Sequence, residues 1–184
     1  MFVTQFSDHF RQGDVISKIF FTSPCFYVLK DNKLTLQPNT ILREAYFVLV
    51  SQCCDLQWHA DTNGNNIPRR AFITVAPLSL KLPFDKNTIE YNKMIENGIN
   101  QPDNDPIQYY FYQNNSYIGQ ESVVDFSTLI PIRSALLKEM KVKKLLELDK
   151  LHRHLFRTRL REYFSRIPQE DWDVAKDVFP SDSA

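Results

Sequence analysis

The chain predicts an α+β protein, with a small, strongly bent β-barrel over residues 1–131 and a C-terminal helical segment packed on it, ending in an acidic tail, over 132–184. Three observations lead there. Up to about residue 130 the chain is a series of short apolar runs separated by turn-forming residues. After Pro131 the apolar spacing becomes helical, through Leu136, Leu137, Met140, Leu145, Leu146 and Leu148. The charge is also divided. The 22 basic and 22 acidic residues cancel, but residues 1–132 carry −3, residues 133–166 carry +7 and residues 167–184 carry −4.

Gln12-Gly13-Asp14 is a turn signal that opens the first strand, Val15 to Phe21. Thr22-Ser23-Pro24 breaks it. Cys25 to Leu29 and Leu34 to Leu36 flank the turn at Lys30-Asp31-Asn32-Lys33. Ala45 to Ser51 is a buried strand, apolar and rich in β-branched and aromatic side chains. The polar stretch 57–70 reads as an exposed loop, and Ala71 to Leu80 as a strand halted by Pro77 or Pro83. Thr88 to Asn97 predicts a short helix, followed by a loop from Gly98 to Pro106. Gln108 to Tyr112 and Tyr117 to Val124 form a hairpin about Asn114-Asn115. Many short strands with long loops favour a bent barrel over a flat sheet. The tail from Pro180 is expected to fray.

Composition narrows the function. The four glycines, Gly13, Gly64, Gly98 and Gly119, are scattered, which argues against a phosphate-cradling loop or a dinucleotide turn. Three cysteines, an odd number, do not make a disulfide framework. With no signal peptide and no long apolar run, the expectation is a soluble cytoplasmic protein. No cofactor is expected.

Four groups of residues could carry function. Ser51, Gln52, Cys53, Cys54 and Asp55 end the buried strand, where side chains pass to a loop. Cys53, Cys54 and His59, with Asp55 and Cys25, are of metal-ligating type, but Cys-Cys-x4-His lacks the paired spacing of a zinc site. A cysteine nucleophile would need His59 or His152 as its base. Against both stands a packing role, with one cysteine in the core and its neighbour turned out by alternation.

The second group, His152, Arg159 and Arg166, lies seven apart along the apolar face of the last helix. Buried polar groups need partners, and Asp14, Asp55 and Asp125 at strand ends are the candidates. This line reads as a structural seam between helix and barrel, or as a polar pocket open to an anion. Asp55 in particular is expected to meet an arginine of the helix. Third, Lys150, Arg153, Arg157 and Arg161 form one basic stripe, suited to phosphates or an acidic partner, or simply to solvent. Fourth, Tyr109, Tyr110, Phe111, Tyr112 and Tyr117 could stack bases, although alternation buries half of them.

Several motifs carry a resemblance. Gln12-Gly13-Asp14-Val15-Ile16, Val48-Leu49-Val50-Ser51-Gln52-x-Cys54-Asp55, Phe72 to Leu78, Val124-Asp125-Phe126 and the arginine pattern from Arg153 to Arg166 resemble an uncharacterised family of small bacterial barrel proteins. More distantly, Gly13, Asp14, Val15 and Val48 to Ser51 are similar to the PemK/MazF-like toxin ribonucleases. That resemblance implies an SH3-like or PemK-like barrel. With it goes the expectation of a non-enzymatic accessory protein working with a larger bacterial partner, in a phage-defence or mobile-element setting. The alternative is a nucleic-acid-binding protein or PemK/MazF-like ribonuclease that contacts phosphates through the arginine helix.

Overall fold

The structure is a computed structural model that describes residues 1–22, 26–30, 33–37, 42–60, 62–63, 66–97 and 108–165. Cys25, the Gly98 to Pro106 loop, Arg166 and the tail lie outside the described residues.

The strands are β1 (Val15–Thr22), β2 (Phe26–Lys30), β3 (Lys33–Gln37), β4 (Leu42–Leu49), β5 (Trp58–Ala60), β6 (Asn66–Pro68) and β7 (Phe72–Ser79). Helix α1 (Ile89–Ile95) precedes β8 (Tyr109–Tyr112), β9 (Ser122–Asp125) and β10 (Ile130–Arg133). A single helical turn, α2 (Leu136–Glu139), leads to β11 (Lys144–Leu146) and the long helix α3 (Lys150–Ser165). Among the described residues, seven antiparallel strands form one sheet in the order β11-β1-β4-β7-β9-β8, with β10 also on β7. The sheet curls into a half-barrel, and α3 completes the α+β architecture.

Irregularities in β1 accompany the curl. Its pairing with β4 shifts register between Ile16 and Ile19, and its pairing with β11 shifts between Val15 and Ile16. Such bulges bend a strand and increase its twist. Pro77 does not halt β7. It pairs opposite Phe47, at the point where the other edge passes from β10, on residues 72–75, to β9, on Leu78 and Ser79. A residue without an N–H costs least at such a gap.

Two expectations change. The stretch 57–70 is not all loop, because β5 and β6 pair as a small hairpin. The chain after Pro131 is not helical at once. β10 pairs with β7, Lys144–Leu146 pair with β1, and continuous helix begins only at Lys150. Leu145, Leu146 and Leu148 have helical spacing, but the open edge of β1 takes Leu145 and Leu146 as a strand and Leu148 bridges to Phe2, an example of tertiary pairing overriding local pattern.

The core under α3 is aromatic. Val15, Val48, Ala76, Tyr110, Tyr112, Val124, Phe126, Leu148 and Phe156 are buried together. The Phe156 ring meets Tyr110 and Phe126 edge-on, at centroid distances of 5.0 and 5.5 Å. Both buried tyrosine hydroxyls find acceptors, Tyr110 on the carbonyl of His152 at 2.8 Å and Tyr112 on that of Gly13 at 3.0 Å. Burying these rings draws α3 down, and the Tyr110 bond to His152 sets its height on the sheet, while the Tyr112 bond fixes the Gly13 turn before β1.

Candidate functional site at the barrel–helix junction

Helix α3 starts on Asp149, whose carboxylate accepts from the backbone N–H of His152 at 2.9 Å and faces its ring Nδ1 at 3.0 Å. Burial works to raise the Asp149 pKa, but these bonds outweigh it and hold it down at about 2. One turn later, Arg153 donates to Glu147 at 3.1 Å and to the carbonyl of Leu148 at 2.6 Å. Arg157 donates from Nε to Gln12 Oε1 at 3.1 Å and from Nη2 to Cys53 Sγ at 2.9 Å. Gln12 is itself buried and donates from Nε2 to the Val50 carbonyl at 2.6 Å. Cys53 Sγ also accepts the Gln12 backbone N–H at 3.4 Å. These bonds lock the turn before β1, the turn after β4 and α3 together.

Beside this lock opens a cleft of about 560 Å³. Gln12, Gln52, Cys53 and Cys54 make one wall, and Arg157, Leu160, Arg161 and Phe164 the other. Phe164 is 60 % exposed. On the far side of Arg157 lies a second hollow, lined by Arg11, Cys53, Lys150, Arg153, His154 and Arg157. Among the described residues, no carboxylate lines either one.

Below the hollows is a buried ionic cluster. Lys144 reaches Asp14 at 3.0 Å and Glu147 at 2.8 Å. Asp14 is fully buried and also accepts the Arg11 backbone N–H at 2.8 Å, while its Oδ1 has no hydrogen-bond partner among the described residues. Burial raises its pKa to about 6 in spite of the Lys144 ammonium. Burial acts in the same sense on Glu147, but hydrogen bonds from Lys144 and Ser7 prevail and lower that pKa to about 2.

The expected site residues are only partly brought together. Asp14 sits at the junction but pairs with Lys144 of β11, not with a helix arginine. Asp55 lies in the turn after β4 and pairs with Arg70 Nε at 3.1 Å, which corrects the expected contact with α3. Asp125 accepts from Gln108 and caps the 3-10 turn at Ser127. Ser51 Oγ accepts the Thr74 N–H at 2.7 Å, so it closes the strand end, whereas Gln52 is exposed at the cleft. His152 turns to its own helix start at Asp149. Arg159 is 2 % exposed within the apolar face, as its spacing predicts, and donates to the Tyr109 carbonyl at 3.2 Å.

Of the basic stripe, Arg153 and Arg157 are engaged in these internal bonds, while Lys150 and Arg161 make no ion pair among the described residues. Neither cysteine packs in the core. Both follow the end of β4 at Leu49, in a turn where strand alternation no longer operates. His59 is on the β5–β6 hairpin, and among the described residues no three His, Cys, Asp or Glu side chains gather to hold a metal. Tyr110, Phe111 and Tyr112 are buried, so the middle of that cluster is core, while Tyr109 is half-buried against Phe84 and Tyr117 lies exposed beyond β8.

Six contributors escape sequence reasoning: Arg11, Gln12, Lys144, Glu147, His154 and Phe164. Gln12 carries a weak signal, as the residue before the Gly13 turn. Lys144 and Glu147 are hidden because their segment reads as helix. No protein-family model matches the chain, and no curated protein sequence is significantly similar to it. Among the described residues, no helix is long and apolar enough to cross a membrane.

Proposed function

We propose that this is a non-enzymatic binding protein that docks the cationic face of α3 on an acidic surface of a larger protein partner. The observation that carries this reading is the hollow where Arg11, Lys150, Arg153, His154 and Arg157 converge, with no carboxylate among the described residues that line it. Glu147, the acid that offsets Arg153, is buried beneath. From Lys150 to Arg161 the stripe runs roughly 16 Å at 1.5 Å per helical residue, long enough to match a row of acidic side chains. Exposed Leu151 and Phe164 flank it, and arginines mixed with exposed apolar side chains suit a protein interface. Such charge complementarity steers encounter and fixes orientation.

In this reading the curled sheet is an SH3-like, PemK-like barrel. The setting is the bacterial cytoplasm, in a phage-defence or mobile-element system. Support for these finer points comes from the sequence resemblance and from the free thiols of Cys53 and Cys54, which suit a reducing compartment. Nucleic acid is the competing occupant of the same face.

The test places a photo-crosslinking residue at Leu151 and, as a control, at Ile67, in the native host. Crosslinks to a protein from position 151, absent from position 67 and lost on Lys150→Glu with Arg161→Glu, support the reading. Crosslinks to nucleic acid alone, no crosslinks, or crosslinks that survive charge reversal overturn it.

A further inference from the structure

We propose that the cleft between the Gln52–Cys54 turn and the last two turns of α3 binds a nucleoside 5′-phosphate, with its base on Phe164 and Leu160 and its phosphate against Arg157 and Arg161. The cleft volume of about 560 Å³ is within the range of small-molecule sites. Its two cations stand four residues apart on one helix face, so both guanidinium groups project into the same space. Arg157 is already oriented, because Gln12 and Cys53 hold its Nε and Nη2, and among the described residues nothing bonds its Nη1. Arg161 makes no ion pair among the described residues. Guanidinium groups match phosphate oxygens in a fixed fork. Among the described residues no carboxylate lines the cleft to compete for the two guanidinium groups.

The apolar half points to the other half of the ligand. Phe164 is largely exposed, yet its ring is held edge-on by Tyr163 at 5.2 Å and 76°. Tyr163 in turn leans on buried Phe126 at 5.9 Å. An aromatic ring that is supported from behind and open in front is a stacking platform, and bases stack on such rings. Exposed Gln52 brings an amide, donor and acceptor together, to the edge of that platform. Phosphate alone would not need the aromatic ring, and an apolar ligand would not need two arginines. A nucleotide uses both. Binding of this kind needs no glycine-rich loop, in keeping with a chain whose four glycines are scattered. The site shares Arg157 and Arg161 with the docking stripe, but docking is read by crosslinking at Leu151 and nucleotide binding by calorimetry on the isolated chain, so either can fail without the other.

Titration calorimetry of the full chain tests it, with AMP, GMP, CMP and UMP as probes and the four matching nucleosides, ribose 5-phosphate and inorganic phosphate as controls. At least one nucleotide is expected to bind tighter than its nucleoside or ribose 5-phosphate by about tenfold or more. Phe164→Ala should weaken the nucleotide about tenfold and leave ribose 5-phosphate unchanged. Arg161→Gln should weaken both nucleotide and ribose 5-phosphate and leave the nucleoside unchanged. Both side chains are exposed, so melting temperatures should not move, and the wild-type ligand series decides the matter even if a variant misfolds. The proposal is overturned if no nucleotide binds below about 1 mM, if the best nucleotide binds no tighter than inorganic phosphate, or if both folded variants keep full affinity.

Discussion

Arg157 donates to Cys53 across 2.9 Å, and this contact fastens the exposed face of α3 to the turn that ends β4. The same guanidinium holds Gln12, so one side chain sets the spacing between the walls of the cleft. An exposed arginine bonded to a half-buried thiol contributes on the order of 1 kcal/mol. Arg157→Ala and Cys53→Ala should therefore each destabilise modestly, and the double variant should lose less than the sum, by about 0.5 kcal/mol or more. Urea unfolding of the four proteins measures that coupling. Additive losses would mean the contact does not form in solution.

Asp14 makes stability depend on pH in an unusual direction. Its pKa rises from 3.8 to about 6 on folding, so the folded protein holds a proton that the unfolded chain has released between those values. Its contribution is fully present below the lower value and lost as pH rises through the upper one. Glu147 and Asp149, both lowered to about 2, act in the opposite sense and lose their contribution as pH falls toward 2. Stability should peak between about pH 4 and 5 and decline by on the order of 1–3 kcal/mol toward pH 6. Asp14→Asn should abolish the decline and keep the acid limb. Urea midpoints measured across pH 3 to 7 check this, and a variant with the wild-type slope would contradict it.

Gly13 is required where it stands. Its φ is +88°, and a Cβ there would come within 2.7 Å of the Leu148 Cδ1 atom, beside Phe156. Gly13→Ala combines backbone strain with overpacking at the foot of α3, and should cost about 2–4 kcal/mol. Thermal melting should show a drop of several degrees, whereas Gly119→Ala, with positive φ but open space around it, should drop less.

Much of this arrangement is legible in the sequence, for identifiable reasons. The Gly13 turn, the apolar run through Val48 and the short helix expected over Thr88 to Asn97 are local signals, and each appears in its place, the helix as Ile89–Ile95. The buried position of Arg159 follows from helical projection. Its failures are non-local. Lys144–Leu146 become a strand because β1 has an edge to fill, which no local periodicity reveals. Asp55 misses the helix because the turn after β4 aims it at Arg70, and turn geometry changes which way a side chain faces. The cleft also depends on Gln12 and Phe164, two common residues that matter only through the company the fold gives them.

Hydrogen–deuterium exchange of the protein, free and with its copurified partner, tests the assignment of α3 as the working surface most directly. Slowed exchange at Lys150–Phe164, with the side of α3 facing Arg11 included, is the expected result. Unchanged exchange along α3, with protection appearing instead on the Trp58–Pro68 hairpin, would contradict it.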